Sequence, residues 1–199
     1  KSFRFGNNNS SLTMKQLFTL FLLLSSFIGF SQANKGMEFY DGWACTKKGD
    51  TLRGKICYES TKSGEKFDKI YFMDAAGAKK RLGPEKLVSY GVQGKVFEYI
   101  LLEEAPSALP MQQVIVGDIS LYYGWFPTAE TTPQKFFYEK GIFLKRKDQD
   151  GYFEVLEKKF QKSMSTYFKG DDDIVKLIKD NNYEAKDIEK IVVAYNAKK

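Results

Sequence analysis

The sequence predicts an α+β chain: an antiparallel β region, sandwich-like or a partly open barrel, followed by about three short C-terminal helices. Three observations predict it. Between residues 37 and 147, short runs of alternating apolar and polar residues are separated by turns rich in Gly and Asp. After Asp148-Gln149-Asp150-Gly151 the apolar spacing lengthens from two residues to three or four. Ahead of both lies an isolated apolar run, residues 17–30, with Lys15 before it and small residues behind it.

That run reads as a secretory signal peptide. Met14-Lys15-Gln16 supplies a positive start, residues 17–30 the apolar centre, and Ser31-Gln32-Ala33 the small side chains a signal peptidase requires. The apolar centre is shorter than the roughly 20 residues of a membrane span. Cleavage after Ala33 is expected over a retained N-terminal anchor, because the small-residue site follows directly. Met14 is the expected start, with residues 1–13 an upstream extension. The expected organisation is therefore 1–33 extension and signal (signal 14–33), 34–147 a β domain, and 148–199 a helical region of the same domain. No Cys follows the signal before Cys45, so no lipid anchor is indicated.

The strands follow in order. Residues 37–46 and 51–58 flank Lys48-Gly49-Asp50, a hairpin signal, and Leu52 and Ile56 alternate with Arg53 and Lys55. Residues 69–74 form a third strand; Gly77 turns into a basic strand at 79–82; Gly83-Pro84 punctuates before 87–92. Residues 95–103 alternate Val96, Ile100 and Leu102 against Phe97, Tyr99 and Leu101, so both faces should be covered. Residues 105–110 read as a loop. Gly117-Asp118 joins strands 112–116 and 119–125, and Ile119, Leu121, Tyr123 and Trp125 share a face of the second. A polar loop at 127–133 precedes strands 134–140 and 142–145, divided at Gly141.

Helical spacing then places Phe153, Leu156, Phe160, Met164 and Tyr167 on one stripe, stopped by Gly170. Asp171 caps a second helix with Ile174, Leu177 and Ile178 inward, and a third carries Ile188, Ile191, Val192 and Tyr195.

Composition excludes several function classes. Residues 1–33 hold Lys1, Arg4 and Lys15 and no acid, so the remainder carries 28 Lys+Arg against 25 Asp+Glu. A surplus of three is no nucleic-acid footprint, and Lys79-Lys80-Arg81 and Lys145-Arg146-Lys147 read as solvated strand ends. With no His and no Cys-x-x-Cys, neither a Cys/His metal site nor a Cys–His nucleophile can be assembled. No cofactor motif is present. Export favours a disulfide between Cys45 and Cys57, but a two-residue Gly49-Asp50 turn puts them on opposite faces. A three-residue turn places Cys57 opposite Asp41, about 13 Å along the strand from Cys45. Two unpaired thiols are expected.

Three chemistries can be weighed at named residues. Counting Gly151 as position six of a calcium loop puts Asp148 third, Asp150 fifth and Glu157 twelfth, but position one is Arg146, which repels a cation. Tyr122, Tyr123 and Trp125, beside the 127–133 loop, are candidate ligand-binding residues that can stack on a sugar or hold an apolar ligand. The plainer reading is strand alternation, with Tyr123 and Trp125 in the core and Tyr122 half exposed; Trp43 has the same standing. Glu98, Glu103, Glu104, Glu154 and Glu157 invite a glycosidase reading, but no spacing among them favours a pair.

The segment Lys48-Gly49-Asp50-Thr51-Leu52-Arg53-Gly54-Lys55-Ile56 resembles the opening hairpin of a family of exported, functionally uncharacterised proteins common in Bacteroidetes bacteria. Ser31-Gln32-Ala33 carries the same likeness. So does the C-terminal pattern of Tyr167-Phe168 followed by Asp187-Ile188-Glu189-Lys190-Ile191 and Tyr195-Asn196. The resemblance implies a Gram-negative envelope location, periplasmic or on the outer surface, and transfers no catalytic residue. The expected function is a non-enzymatic envelope module that binds an envelope protein or a small ligand. The alternatives are a carrier of a small apolar or glycan ligand and a carboxylate-dependent hydrolase.

Overall fold

A computed structural model of the chain describes residues 37–58, 69–103, 105–127 and 138–198. The signal segment, Glu104, the loop after Pro127 and the first residues of the expected 134–140 strand lie outside the described residues. Residues Glu38–Lys199 form one compact unit.

Its frame is a single ten-stranded antiparallel sheet. The strands are β1 (Tyr40–Thr46), β2 (Thr51–Tyr58), β3 (Ile70–Met73), β4 (Lys79–Leu82), β5 (Leu87–Val92), β6 (Lys95–Ile100), β7 (Leu109–Ile115), β8 (Ile119–Pro127), β9 (Tyr138–Arg146) and β10 (Phe153–Glu154). Their order is β10-β9-β8-β7-β6-β5-β1-β2-β3-β4, so among the described residues β10 and β4 are the edges and the sheet is not closed into a barrel. Three short helices follow: α1 (Phe160–Tyr167), α2 (Asp172–Asp180) and α3 (Ile188–Asn196), with 3-10 turns at Glu157–Lys159 and Ala185–Asp187. No helix among the described residues is long and apolar enough to cross a membrane.

Three local expectations are corrected. Residues 109–110, read as loop, belong to β7, where Pro110 stands opposite Tyr99. Gly141 does not divide β9: it pairs with Gly124, and the Phe126 ring covers both, within 2.8 Å of where either β-carbon would stand. Phe153, expected to begin the first helix, extends the sheet instead as part of β10 opposite Leu144. Sheet pairing overrides helical spacing there because two backbone partners on β9 are available.

The β1–β2 hairpin closes earlier than either expected turn. Thr46 and Asp50 are its last bonded pair (2.8 Å), and Gly49 takes the left-handed conformation at φ 90° that a three-residue loop needs. Cys45 therefore faces Thr51, six residues short of Cys57, or about 20 Å along the strand. No disulfide joins them.

Alternation assigns each strand two faces, and they are covered differently. On the first, Ile119, Leu121, Ile142 and Leu144 of β8 and β9 pack beneath Phe160, Met164 and Phe168, Ile174 and Ile178, and Ile188, Ile191, Val192 and Tyr195 of the helical layer. Further along the same face, Ala44, Ile56, Phe72, Tyr90, Val92 and Phe97 form a second core with Leu82 and Leu87. On the opposite face, Ile100, Met111, Tyr122 and Phe143 form a third, smaller one, with Leu102, Phe126 and Tyr152 against it.

Arg146, the last residue of β9, fixes the helices to the sheet. It was expected to be solvated with its basic neighbours, but alternation turns it toward the helices and leaves its side chain 14% exposed. One terminal nitrogen donates to Tyr195 Oη (3.0 Å); the other donates to the Tyr167 carbonyl (3.0 Å) and reaches Asp171 Oδ2 (3.4 Å). The guanidinium also lies 5.0, 5.4 and 5.9 Å from the ring centroids of Tyr167, Tyr195 and Phe168. It thus sits at the C-terminal end of α1 and beside the N-cap residue of α2. A cation at a helix C-terminus and an anion at a helix N-terminus are both favourable placements. Asn196 adds a second anchor: its side-chain amide donates to the Ile119 carbonyl (2.9 Å) and accepts from the Ile119 N–H (3.0 Å).

Arg146→Lys keeps the charge but loses the planar fork. It is expected to cost about 1.5–3 kcal/mol, read as a lowered urea midpoint with unchanged slope. Burial raises the Tyr167 phenol to about 12, with the Arg146 charge pulling the other way. The folded chain then holds that proton more tightly than the unfolded one. The stability it contributes is complete below pH about 10 and lost as pH rises toward 12. The urea midpoint should fall across that window, and fall less in Tyr167→Phe.

Candidate functional site

The three aromatics proposed from sequence are divided by the sheet. Tyr122 faces the third core and is only 4% exposed. Tyr123 faces the helices: its hydroxyl donates to Glu189 Oε1 on α3 (2.7 Å), and Lys140 Nζ lies 3.2 Å from its ring centroid. Trp125 packs against the second core. The expected exposures are reversed, with Tyr122 buried and Tyr123 and Trp125 half-buried, because the third core gives Tyr122 a cover of its own.

Around Tyr122 a closed polar triangle spans three strands. Gln113 Nε2 donates to Glu98 Oε1 (3.1 Å) and to Tyr122 Oη (3.0 Å), and Tyr122 Oη donates to Glu98 Oε2 (3.2 Å). Tyr152 meets Tyr122 edge-on, with centroids 5.4 Å apart, and Lys145 Nζ lies 5.0 Å from the Tyr152 ring. Burial raises the Tyr122 phenol, opposed by the Gln113 hydrogen bond and helped by the Glu98 charge. Burial, then the neighbouring Tyr122 and Glu98, raise Tyr152 as well. Both phenols hold their protons at neutral pH, so the triangle sets hydroxyl and amide donors around its one carboxylate, Glu98.

The remaining acids do not join it. Glu154 on β10 lies four strands from Glu98, about 19 Å away, where a glycosidase pair needs roughly 5–9.5 Å. Glu103, Glu154 and Glu157 are exposed, and Glu104 lies outside the described residues. In the calcium-like loop, Asp148 and Asp150 are exposed while Arg146 is turned away into the helices. Among the described residues no three His, Cys, Asp or Glu side chains are grouped to hold a metal ion.

A different constellation lies on the outer face of β1, β2 and β3. Trp43 stands opposite Arg53, and Asp41 opposite Lys55, which in turn stands opposite Met73. These side chains line an open cleft of about 640 Å3, to which Asp74, Ala75 and Gly77 of the turn after β3 also contribute. The indole rests against the backbone of Gly91 on β5, a place that exists because Gly91 has no side chain: a β-carbon there would stand 2.4 Å from Trp43 Nε1. Arg53 and Lys55 are exposed, and neither forms an ion pair with a described carboxylate. Asp74 is occupied, its Oδ1 accepting from the Ala76 and Ala78 N–H groups (3.1 and 3.0 Å). Alternation of Arg53 and Lys55 against Leu52 and Ile56 was visible in the sequence. The placement of Trp43 beside them depends on the hairpin register.

A second cleft, of about 760 Å3, runs between Glu157–Lys162 and Asn182–Lys186. Within it Gln161 donates to Asn182 (2.9 Å) and Lys186 pairs with Glu184 (2.7 Å), while Glu157, Lys158, Lys159 and Lys162 are exposed.

No family model, no curated protein and no solved structure matches the chain.

The triangle should behave as packing. Tyr122→Phe is expected to cost about 1 kcal/mol and Tyr122→Ala about 3–5 kcal/mol in urea unfolding. A much larger loss in the Phe variant would show the hydroxyl to be more than one hydrogen bond among several.

Proposed function

We propose that the chain is an exported, non-enzymatic envelope protein that binds its partner or ligand through the outer face of β1–β3. The observation that carries this reading is the Trp43 cleft, where an indole, two unpaired cations and a carboxylate share one concave surface. Arg53 stands opposite Trp43, and Lys55, although opposite Asp41, forms no ion pair with it, so both exposed cations are open to an anionic ligand.

Further support comes from the sequence. The signal-like segment at 14–33 and the likeness to exported Bacteroidetes proteins point to the envelope. The Glu98–Gln113–Tyr122 cluster holds one carboxylate among neutral donors, where a glycosidase needs a pair, which favours binding over hydrolysis.

Two measurements test the reading. The intact mass of the protein from its own envelope fraction should correspond to a chain beginning at Asn34; a chain retaining residues 14–33 would contradict cleavage. Retention of the purified chain on isolated envelopes should fall at least tenfold on combining Arg53→Glu with Lys55→Glu. It should be unchanged by Lys176→Glu on α2. Equal retention of all three proteins would refute the β1–β3 face as the binding surface.

A further inference from the structure

We infer that the ligand of the Trp43 cleft is an acidic oligosaccharide, a short chain of sugars carrying carboxylates; the inference rests on reading this face as the binding surface. A sugar acid presents three kinds of surface at once: an apolar face of C–H groups, a rim of hydroxyls, and a carboxylate. The cleft offers a partner for each. Trp43 supplies the apolar ring. Asp41 supplies an acceptor for hydroxyls. Arg53 and Lys55, at alternate positions of β2, leave the same face about 7 Å apart and supply separate cations. The Arg53 fork suits a planar carboxylate, and Lys55 a second charge further along the chain. About 640 Å3 lies within the usual range for small-ligand clefts, about 300–1,000 Å3.

Other ligand classes fit less well. A nucleic acid would present a dense phosphate array that two cations do not match, on a chain whose charge surplus beyond residue 33 is only three. An extended peptide gains its affinity from main-chain hydrogen bonds at a sheet edge. Here β1 and β2 are interior strands whose backbone groups are spent on their neighbours. A neutral apolar ligand would make no use of either cation. The second cleft, between Glu157–Lys162 and Asn182–Lys186, carries lysines beside Tyr183 but no arginine fork and no indole.

The chain has two tryptophans, so Trp125→Phe leaves Trp43 as the sole indole reporter. That protein would be titrated with trimers and tetramers of galacturonate, mannuronate and guluronate, with the methyl ester of each, with phosphatidylglycerol vesicles and with a decathymidylate strand. The expected result is a saturable change in Trp43 emission with at least one uronate series and at least tenfold weaker binding of its ester. Arg53→Gln, on the exposed surface and therefore foldable, should weaken uronate binding about ten- to a hundredfold, the range for lost hydrogen bonds to a charged group. Trp43→Ala, followed by calorimetry, should abolish it.

Binding of ester and acid with equal strength, or tighter binding of vesicles or the DNA strand, would overturn the assignment. If no uronate binds while Arg53→Gln and Trp43→Ala still lower retention on envelopes, the face is a binding surface and the saccharide assignment alone is wrong. If no uronate binds and retention is also unaffected, both readings fall.

Discussion

The guanidinium of Arg146 is the point at which the helical layer becomes part of the sheet. A buried, unpaired charge costs several kcal/mol, so an arginine turned inward needs acceptors supplied by the fold around it. Here they come from the end of α1, the start of α2 and Tyr195 in the last turn of α3, and three aromatic rings fill the space between. The helices are eight or nine residues long, too short to be stable alone. Their stability is tertiary, drawn from Ile174, Ile178, Ile191 and Val192 packed over β8 and β9. Arg146 gives that greasy contact a fixed orientation, since hydrogen bonds and ring faces are directional where apolar burial is not.

This one-sided cover shapes the rest of the molecule. Over β8 and β9 the sheet is buried on both faces, by the helices on one and the Tyr122 core on the other. Over β1–β3 the inner face is core, while the outer face carries Trp43, Arg53, Lys55 and Asp41. One polypeptide thus separates a stabilising end from an end free to carry chemistry. Cross-strand neighbours give that chemistry a fixed spacing, because the ladder sets side chains at intervals of about 5 and 7 Å.

Some of this was legible in the residues. The strand-then-helix order follows from the change of apolar period near Asp148–Gly151, and the inward faces of α2 and α3 follow from Ile174, Ile178, Ile188, Ile191 and Val192. Alternation, a local property, grouped Ile119, Leu121, Tyr123 and Trp125 on one face of β8, and Ile119 and Leu121 lie on the face that the helices cover. Arg146 was not legible: between Lys145 and Lys147 it looks like any solvated charge. Only the helices returning over β9 supply its acceptors, and they are 21 to 49 residues away in sequence. Phe153 and Gly141 misled for the same reason, because an available partner strand outweighs local spacing and local flexibility.

By itself, then, the sequence determined the class, the number and order of most elements, the faces within each strand and the absence of histidine chemistry, all of which depend on residues close in the chain. Tertiary structure decided the register between strands. With Thr46 and Asp50 as the closing pair, Trp43 meets Arg53 and shares its face with Lys55; a two-residue Gly49-Asp50 turn would have set Trp43 opposite Ile56, on the other face. A shift of one residue reverses every side chain of a strand, and the hydrogen-bonded loop at Gly49 fixes that parity. The candidate site exists because of it.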